Sequence, residues 1–318
     1  MESLILILII IGLLLALIKS AEMVEHTFVL IARKSRISEF IIGFVVLGIV
    51  TSLPEISIAV ASSQSVPELS VGNLIGASAV LLTLILGINA IKYKNIAFKG
   101  KFAEKELLIG IFSVFLMLLS ILDRYVSVVE GLFMLLTYVI YIIYLNYKFS
   151  KKIDLKQSMV NVMRIYSSVG IALLGMVILV VSSIFIVKAA TSLAHNLYIS
   201  PALVGVFLLG VGTNIPELTI LITSKVKKTE QQLTVGNELG SLFLNPGTVG
   251  LLAVLAGGAQ IYDLASIAPA LVACMIALGL FTIFSYTGRS LSKTEGIILV
   301  AVFASLIISQ FIVLFAGN

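Results

Sequence analysis

Apolar residues fill this chain in long runs, separated by short polar breaks. The runs fall at roughly 3–32, 38–62, 69–91, 106–122, 125–147, 165–194, 199–224, 231–257, 264–286 and 294–315. A helix needs about 20 apolar residues to cross the ~30 Å hydrocarbon core of a bilayer. The pattern therefore predicts ten membrane spans. No period-2 alternation appears, and backbone in lipid must satisfy its own polar groups, so all ten are predicted as helices. The first and sixth runs are longer than one crossing needs, and are expected to tilt or to continue past the interface.

Two runs carry an unusual polar break. The second contains Thr51, Ser52, Pro54 and Glu55, and the seventh contains Thr213, Asn214, Pro216 and Glu217. After a short polar turn, each is followed by a run opening Gly-Asn-x-x-Gly: Gly72, Asn73 and Gly76, then Gly236, Asn237 and Gly240. Gly43/Gly205, Gly48/Gly210, Thr51/Thr213 and Glu55/Glu217 all match at an offset of 162. Further along, Glu130-Gly131 matches Glu295-Gly296, and these two acids are expected to start or cap their spans.

The repeat divides the chain into a first half, residues 1–147, with its central motif at 43–81, and a second half, 165–318, with its motif at 205–245. A short basic connecting loop, 148–164, joins them on the cytoplasmic side. Each half holds five spans. An odd number forces the halves to insert with opposite orientation, which is the inverted-repeat plan of secondary transporters, with the ion site near the midplane. The predicted fold class is an all-α polytopic membrane protein of ten transmembrane helices, two inverted-topology repeats of five, with helices two and seven broken.

Composition agrees. The chain is 59% hydrophobic and 12% charged, against about 45–50% and about 25% in soluble domains. The net charge of +5 sets topology and does not point to nucleic acid. Eighteen of the 21 Lys and Arg fall in the loops after spans one, three, five, seven and nine. Cytoplasmic loops carry the Lys/Arg excess, so those loops face the cytoplasm and both termini face outside. Two histidines and a single cysteine, Cys274, supply neither a zinc site nor a disulfide framework. No Ser-His or Asp-Asp pairing with a catalytic pattern is present, so an intramembrane enzyme is not expected.

A charge at the bilayer centre costs about 2.5–3.5 kcal/mol even on the lenient insertion scale. Carrying Glu55 and Glu217 at matching mid-span positions points to one cation site built by both halves. Proline lacks an N–H, so Pro54 and Pro216 free the carbonyls of Val50 and Gly212. Thr51, Ser52 and Thr213 add hydroxyl oxygens and Asn214 an amide oxygen. This hard-oxygen set suits Ca²⁺ and Na⁺. Two carboxylates balance one Ca²⁺, two Na⁺ or two protons, and competition for one site is a minimal exchange mechanism. The Gly-Asn segments, with small residues four apart, are expected to bring span three against the break of span seven and span eight against that of span two. Asn73 and Asn237 belong to the candidate ligand set. Ser241 and Asn245, four apart on span eight, can add two more oxygens. Glu238 reads as an interfacial acid near Lys225–Lys228. Lys19 reads as snorkelling or pairing with an acid such as Glu22.

These doubled motifs resemble the α-repeats of the cation/calcium antiporter superfamily, especially its sodium/calcium exchanger branch, and the resemblance covers all ten spans. It implies that Glu55 and Glu217 are central calcium ligands, joined by Thr51, Thr213, Ser52 and Asn214, with backbone carbonyls near Gly48 and Gly210. Ser241 and Asn245 fall on the family's Ser and Asn/Asp positions. It also implies that spans one and six slide to alternate access, that sodium or protons drive calcium outward, and that the ions are substrates with no resident cofactor. The first copy departs from the pattern. Ala77 and Leu81 stand where the family has Ser and Asn, and Asn214 replaces the usual Ser. Fewer oxygens put a full set of sodium sites in doubt. The competing readings are an exchanger of another cation, or a channel or non-transporting ion sensor. Inverted repeats favour alternating access over an open pore. The oligomeric state is left open by the sequence.

Overall fold

Ten apolar helical segments follow one another in a computed structural model of the chain, which describes residues 2–33, 42–97, 104–149 and 162–316. Among the described residues nine are long and apolar enough to cross a membrane: Glu2–Val24, Ile42–Ser62, Pro67–Tyr93, Val128–Leu145, Gly170–Leu197, Pro201–Thr223, Glu230–Ala256, Leu264–Thr287 and Lys293–Val313. The tenth, the fourth in chain order, is the shorter apolar stretch Glu106–Ser120. Its helix, Glu104–Ser120, has 17 residues, which at 1.5 Å per residue reach only ~25 Å. These segments are called spans 1 to 10 below.

The first and sixth helices are longer than a crossing requires, as the hydropathy predicts. Glu2–Arg33 has 32 residues and Val162–Leu197 has 36. They lie against one another through Leu14, Leu17 and Ala21 on one side and Ile186, Ala190 and Leu193 on the other. Lys19 pairs with Glu22 at 2.5 Å on the exposed side of its helix, so one of the two sequence expectations for it holds. Lys188 lies 5.7 Å from the Phe185 ring centroid.

Spans 3 and 8 are the most enclosed. Around them sit spans 2 and 7, with spans 4, 5, 9 and 10 outside. Two short ribbons tie loops together at the ends of the bundle. Strand β1 (Asn95–Ala97), after span 3, pairs antiparallel with β4 (Ser290–Ser292), after span 9. Strand β2 (Tyr125–Val126), after span 4, pairs with β3 (Ala259–Gln260), after span 8. If every span crosses once, the ends of spans 3 and 9 fall on one face and those of spans 4 and 8 on the other, which is how the ribbons pair.

Glu130 and Glu295 act as the sequence predicts. Glu130 Oε2 accepts from Ser127 N at 2.9 Å, and Glu130 N donates back to Ser127 Oγ at 3.2 Å. Glu295 Oε2 accepts from Ser292 N at 2.6 Å, with Glu295 N to Ser292 Oγ at 3.3 Å. Both are reciprocal capping boxes that satisfy otherwise orphaned helix-start donors. Several basic residues used to set topology, Lys34, Arg36, Lys99, Lys101, Lys151, Lys152 and Lys156, lie outside the described residues, as does 150–161 of the connecting loop.

Candidate functional site

Both broken spans are built alike. Ile42–Leu47 and Gly205–Leu209 are π-helical, a widening by one residue per turn that often sits beside functional sites. A short α turn follows, and the helix then breaks at Ser52 (φ −87°, ψ 5°) and Asn214 (φ −89°, ψ 5°). New helices start at once: Leu53–Ser62 and Ile215–Thr223. Pro54 and Pro216 sit in their first turns, where a missing N–H costs nothing. Glu55 and Glu217 are in those turns too, where the helix N-terminus favours a carboxylate. Pro54 leaves the Val50 carbonyl without its helical donor, and the Ser52 N–H reaches it instead.

Each break rests on a glycine helix from the other half. A Cβ on Gly48 would lie 2.7 Å from the Gly240 Cα, and one on Gly210 would lie 2.9 Å from the Gly76 Cα. Any side chain there would push span 2 off span 8, or span 7 off span 3. The close approach predicted from the small-residue spacing is therefore present on both sides, and in reciprocal form.

The polar side chains then meet across that contact. Thr51 Oγ1 donates to the Leu47 carbonyl at 3.0 Å and lies 3.1 Å from both Asn237 Oδ1 and Ser241 Oγ. Thr213 Oγ1 donates to the Leu209 carbonyl at 3.0 Å and lies 3.4 Å from Asn73 Oδ1. Ser241 Oγ is 3.1 Å from Glu217 Oε1 and 3.3 Å from the Gly48 carbonyl oxygen. Glu55 lies beside Thr213 and within electrostatic range of Glu217. The two acids are 2% and 1% exposed, so neither faces lipid.

All twelve candidate residues are buried. Eight share the hub just described: Gly48, Thr51, Glu55, Asn73, Thr213, Glu217, Asn237 and Ser241. Ser52 is buried at its break. Asn214 turns its amide onto the Gly210 carbonyl, with Nδ2 2.7 Å from that oxygen. Asn245, one turn beyond Ser241, donates from Nδ2 to Ser78 Oγ at 2.8 Å. Glu55 Oε2 and Asn214 Oδ1 have no hydrogen-bond partner among the described residues. Buried acceptors are normally satisfied, so these two oxygens suit a cation.

Span 3 is poorer at the centre than span 8, as its sequence predicts: Ala77 and Leu81 are buried and apolar. Ser78, one residue on, supplies the single hydroxyl that meets Asn245. Glu238 corrects the sequence reading. It is 2% exposed and its Oε1 accepts from Asn89 Nδ2 at 2.7 Å, so it is no interfacial acid. Thr234, Glu238, Ser241 and Asn245 recur at three- and four-residue spacing, one face of a helix. That polar stripe was the available signal. Among the described residues no three His, Cys, Asp or Glu side chains cluster to hold a metal. The arrangement is two acids among neutral oxygens, a donor set for hard cations.

Comparison with known proteins agrees with this architecture. The family described as sodium/calcium exchanger protein matches residues 5–147 and 167–312. An uncharacterized membrane protein of Methanocaldococcus jannaschii is 31% identical over 225 residues, covering 70% of this chain and 72% of its own. The sodium/calcium exchanger MaX1 of Methanosarcina acetivorans is 24% identical, with 93% of this chain and 95% of its own covered. The solved structure of the sodium-calcium exchanger NCX_Mj shares the fold at a TM-score of 0.68 and 24% identity, covering 95% of this chain and 99% of that one.

Proposed function

Since this chain belongs to the sodium/calcium exchanger protein family, we propose that it is a secondary active antiporter moving Ca²⁺ across the membrane in exchange for Na⁺ or H⁺. Access alternates around one midplane site shared by Glu55 and Glu217. The observation that carries this reading is the burial of both carboxylates at the contact between the broken spans, where Ser241 Oγ joins Glu217 Oε1 at 3.1 Å to Thr51 Oγ1 at 3.1 Å, four residues before Glu55. Thr51, Ser52, Thr213, Asn214, Ser241, Asn245, Asn73, Asn237 and the Gly48 and Gly210 carbonyls complete the ion-binding shell. Two negative charges accept either one Ca²⁺ or two monovalent ions, and not both at once. That exclusivity couples the fluxes.

The apolar Ala77 and Leu81 leave the central pocket with fewer oxygens, so it takes fewer Na⁺ per Ca²⁺ than a pocket with polar residues there. Calcium uptake into reconstituted vesicles, driven separately by a Na⁺ gradient and a pH gradient, tests the function and the coupling together. Uptake is expected under at least one gradient. Uptake under neither, or channel-like single-channel currents, would remove the antiporter reading.

Spans 1 and 6, one from each of the halves 1–147 and 165–318 that 148–164 joins, slide past the remaining spans to alternate access. Both termini lie outside and the basic loops in the cytoplasm. A single cysteine placed at Tyr262, exposed in the loop after span 8, is expected to react with a membrane-impermeant maleimide on intact cells. One at Val226, exposed in the loop after span 7, is expected to stay unlabelled. The reverse pattern would invert the topology.

A further inference from the structure

A second polar cluster lies outside the central hub, between spans 3 and 8. Asn89 Nδ2 donates to Glu238 Oε1 at 2.7 Å and to Thr234 Oγ1 at 3.2 Å. All three side chains are buried, at 0%, 2% and 1% exposure. Thr234 Oγ1 donates its own hydrogen to the Gln231 carbonyl at 3.1 Å, which leaves its lone pairs facing the cluster. Glu238 Oε2 and Asn89 Oδ1 have no hydrogen-bond partner among the described residues. These are two buried acceptors without a donor, on side chains hydrogen-bonded to each other, and the only donor the cluster offers Glu238 is the neutral Asn89 amide.

No described basic side chain forms an ion pair with Glu238. The nearest in sequence to Asn89 is Lys92, one turn along span 3. Its ammonium is committed to the end of span 7, to the carbonyls of Leu221 at 2.5 Å, Ile222 at 3.2 Å and Ser224 at 2.5 Å. An uncompensated buried carboxylate costs several kcal/mol, so the cluster calls for a positive ion from outside the protein.

We propose that Glu238, Asn89 and Thr234 form a separate Na⁺ site on the route between the central pocket and the basic loops. One carboxylate with two neutral oxygens balances a single positive charge, which selects a monovalent ion over Ca²⁺. Receiving the ion requires the Asn89 amide to turn over, so that Oδ1 faces the carboxylate. Glu238 lies one helical turn, roughly 4.5 Å of rise, from Ser241. Ser241 Oγ in turn lies 3.1 Å from Glu217 Oε1. Occupancy here therefore relieves repulsion on the central pair. Span 3, which gives the centre no oxygen at Ala77 or Leu81, contributes one here through Asn89.

The proposal rests on the antiporter reading for its purpose but not for its test. Equilibrium binding of radioactive Na⁺ is measured on the purified full chain carrying Glu55→Gln and Glu217→Gln, which disables the central pocket. About one Na⁺ per chain is expected to remain bound. Adding Glu238→Gln is expected to remove it, and Asn89→Leu, which keeps the charge and deletes an oxygen, to weaken it about tenfold, some 1.4 kcal/mol. Asn89→Leu also gives the answer if the Glu238 variant fails to elute as a folded protein. No Na⁺ bound to the double variant would overturn the proposal. So would Na⁺ binding indifferent to both further changes, the behaviour of a carboxyl that merely holds a proton. Failure of the antiporter reading shows elsewhere, as Ca²⁺ flux that survives Glu55→Gln and Glu217→Gln.

Discussion

Glu55→Gln and Glu217→Gln are each expected to abolish Ca²⁺ uptake while leaving the protein folded. Glutamine keeps the shape of the side chain and removes its charge. Halving the negative charge around a buried divalent ion resembles deleting one partner of a buried ion pair, which costs about 3–5 kcal/mol. At 1.4 kcal/mol per tenfold, Ca²⁺ binding falls roughly 100- to 4000-fold. The two variants are expected to fail equally, because the halves present the acids from matching first turns of matching half-helices. Isotope flux in vesicles, beside elution profiles of each variant, measures this. Full flux in either variant would show that its carboxylate is not a ligand.

The second large effect concerns the helix contact that creates the site. Gly240→Ala would place a methyl group 2.1 Å from the Phe44 carbonyl oxygen, and Gly72→Ala one 2.1 Å from the Ala202 carbonyl oxygen. Both obstacles are backbone, so whole helices must move apart. Overpacking of this kind costs about 1–3 kcal/mol and more when nothing can yield. A marked drop in melting temperature in detergent is expected for both, with loss of Ca²⁺ flux. Gly279→Ala is the control. It has nothing within 4 Å of the added carbon, and alanine in a helix interior gains about 0.8–1.0 kcal/mol over glycine. Equal melting temperatures for all three would mean that the glycines do not set the spacing between spans.

Much of this architecture could be read from residue order because the bilayer makes polarity expensive. Glu55 and Glu217 stood out since each lies mid-run beside a proline, in contexts that repeat. The meeting of span 2 with span 8, and of span 7 with span 3, followed from Gly72, Gly76, Gly236 and Gly240. Glu130 and Glu295 were legible as caps because a capping box is local.

What the sequence hid depends on which face of a helix turns where. Asn89 has no polar counterpart in the second half, so the repeat could not flag it, and Glu238 then looked like one more acid near a basic loop. Ser78 sits one residue from the position the family pattern favours, yet reaches Asn245 all the same. The π-helical stretches Ile42–Leu47, Val80–Ile85 and Gly205–Leu209 carry no side-chain signature. Each holds an extra residue in its turn, which rotates the residues that follow by part of a turn. The two ribbons are too short for alternation to show.

A crystal grown in Ca²⁺, with anomalous scattering used to locate the ion, tests the shared pocket most directly. A single peak is expected with one carboxylate oxygen of Glu55 and one of Glu217 each within about 2.3–2.6 Å, the range for calcium–oxygen bonds. A peak bound by only one of the two acids, or two peaks each serving its own half, would contradict it.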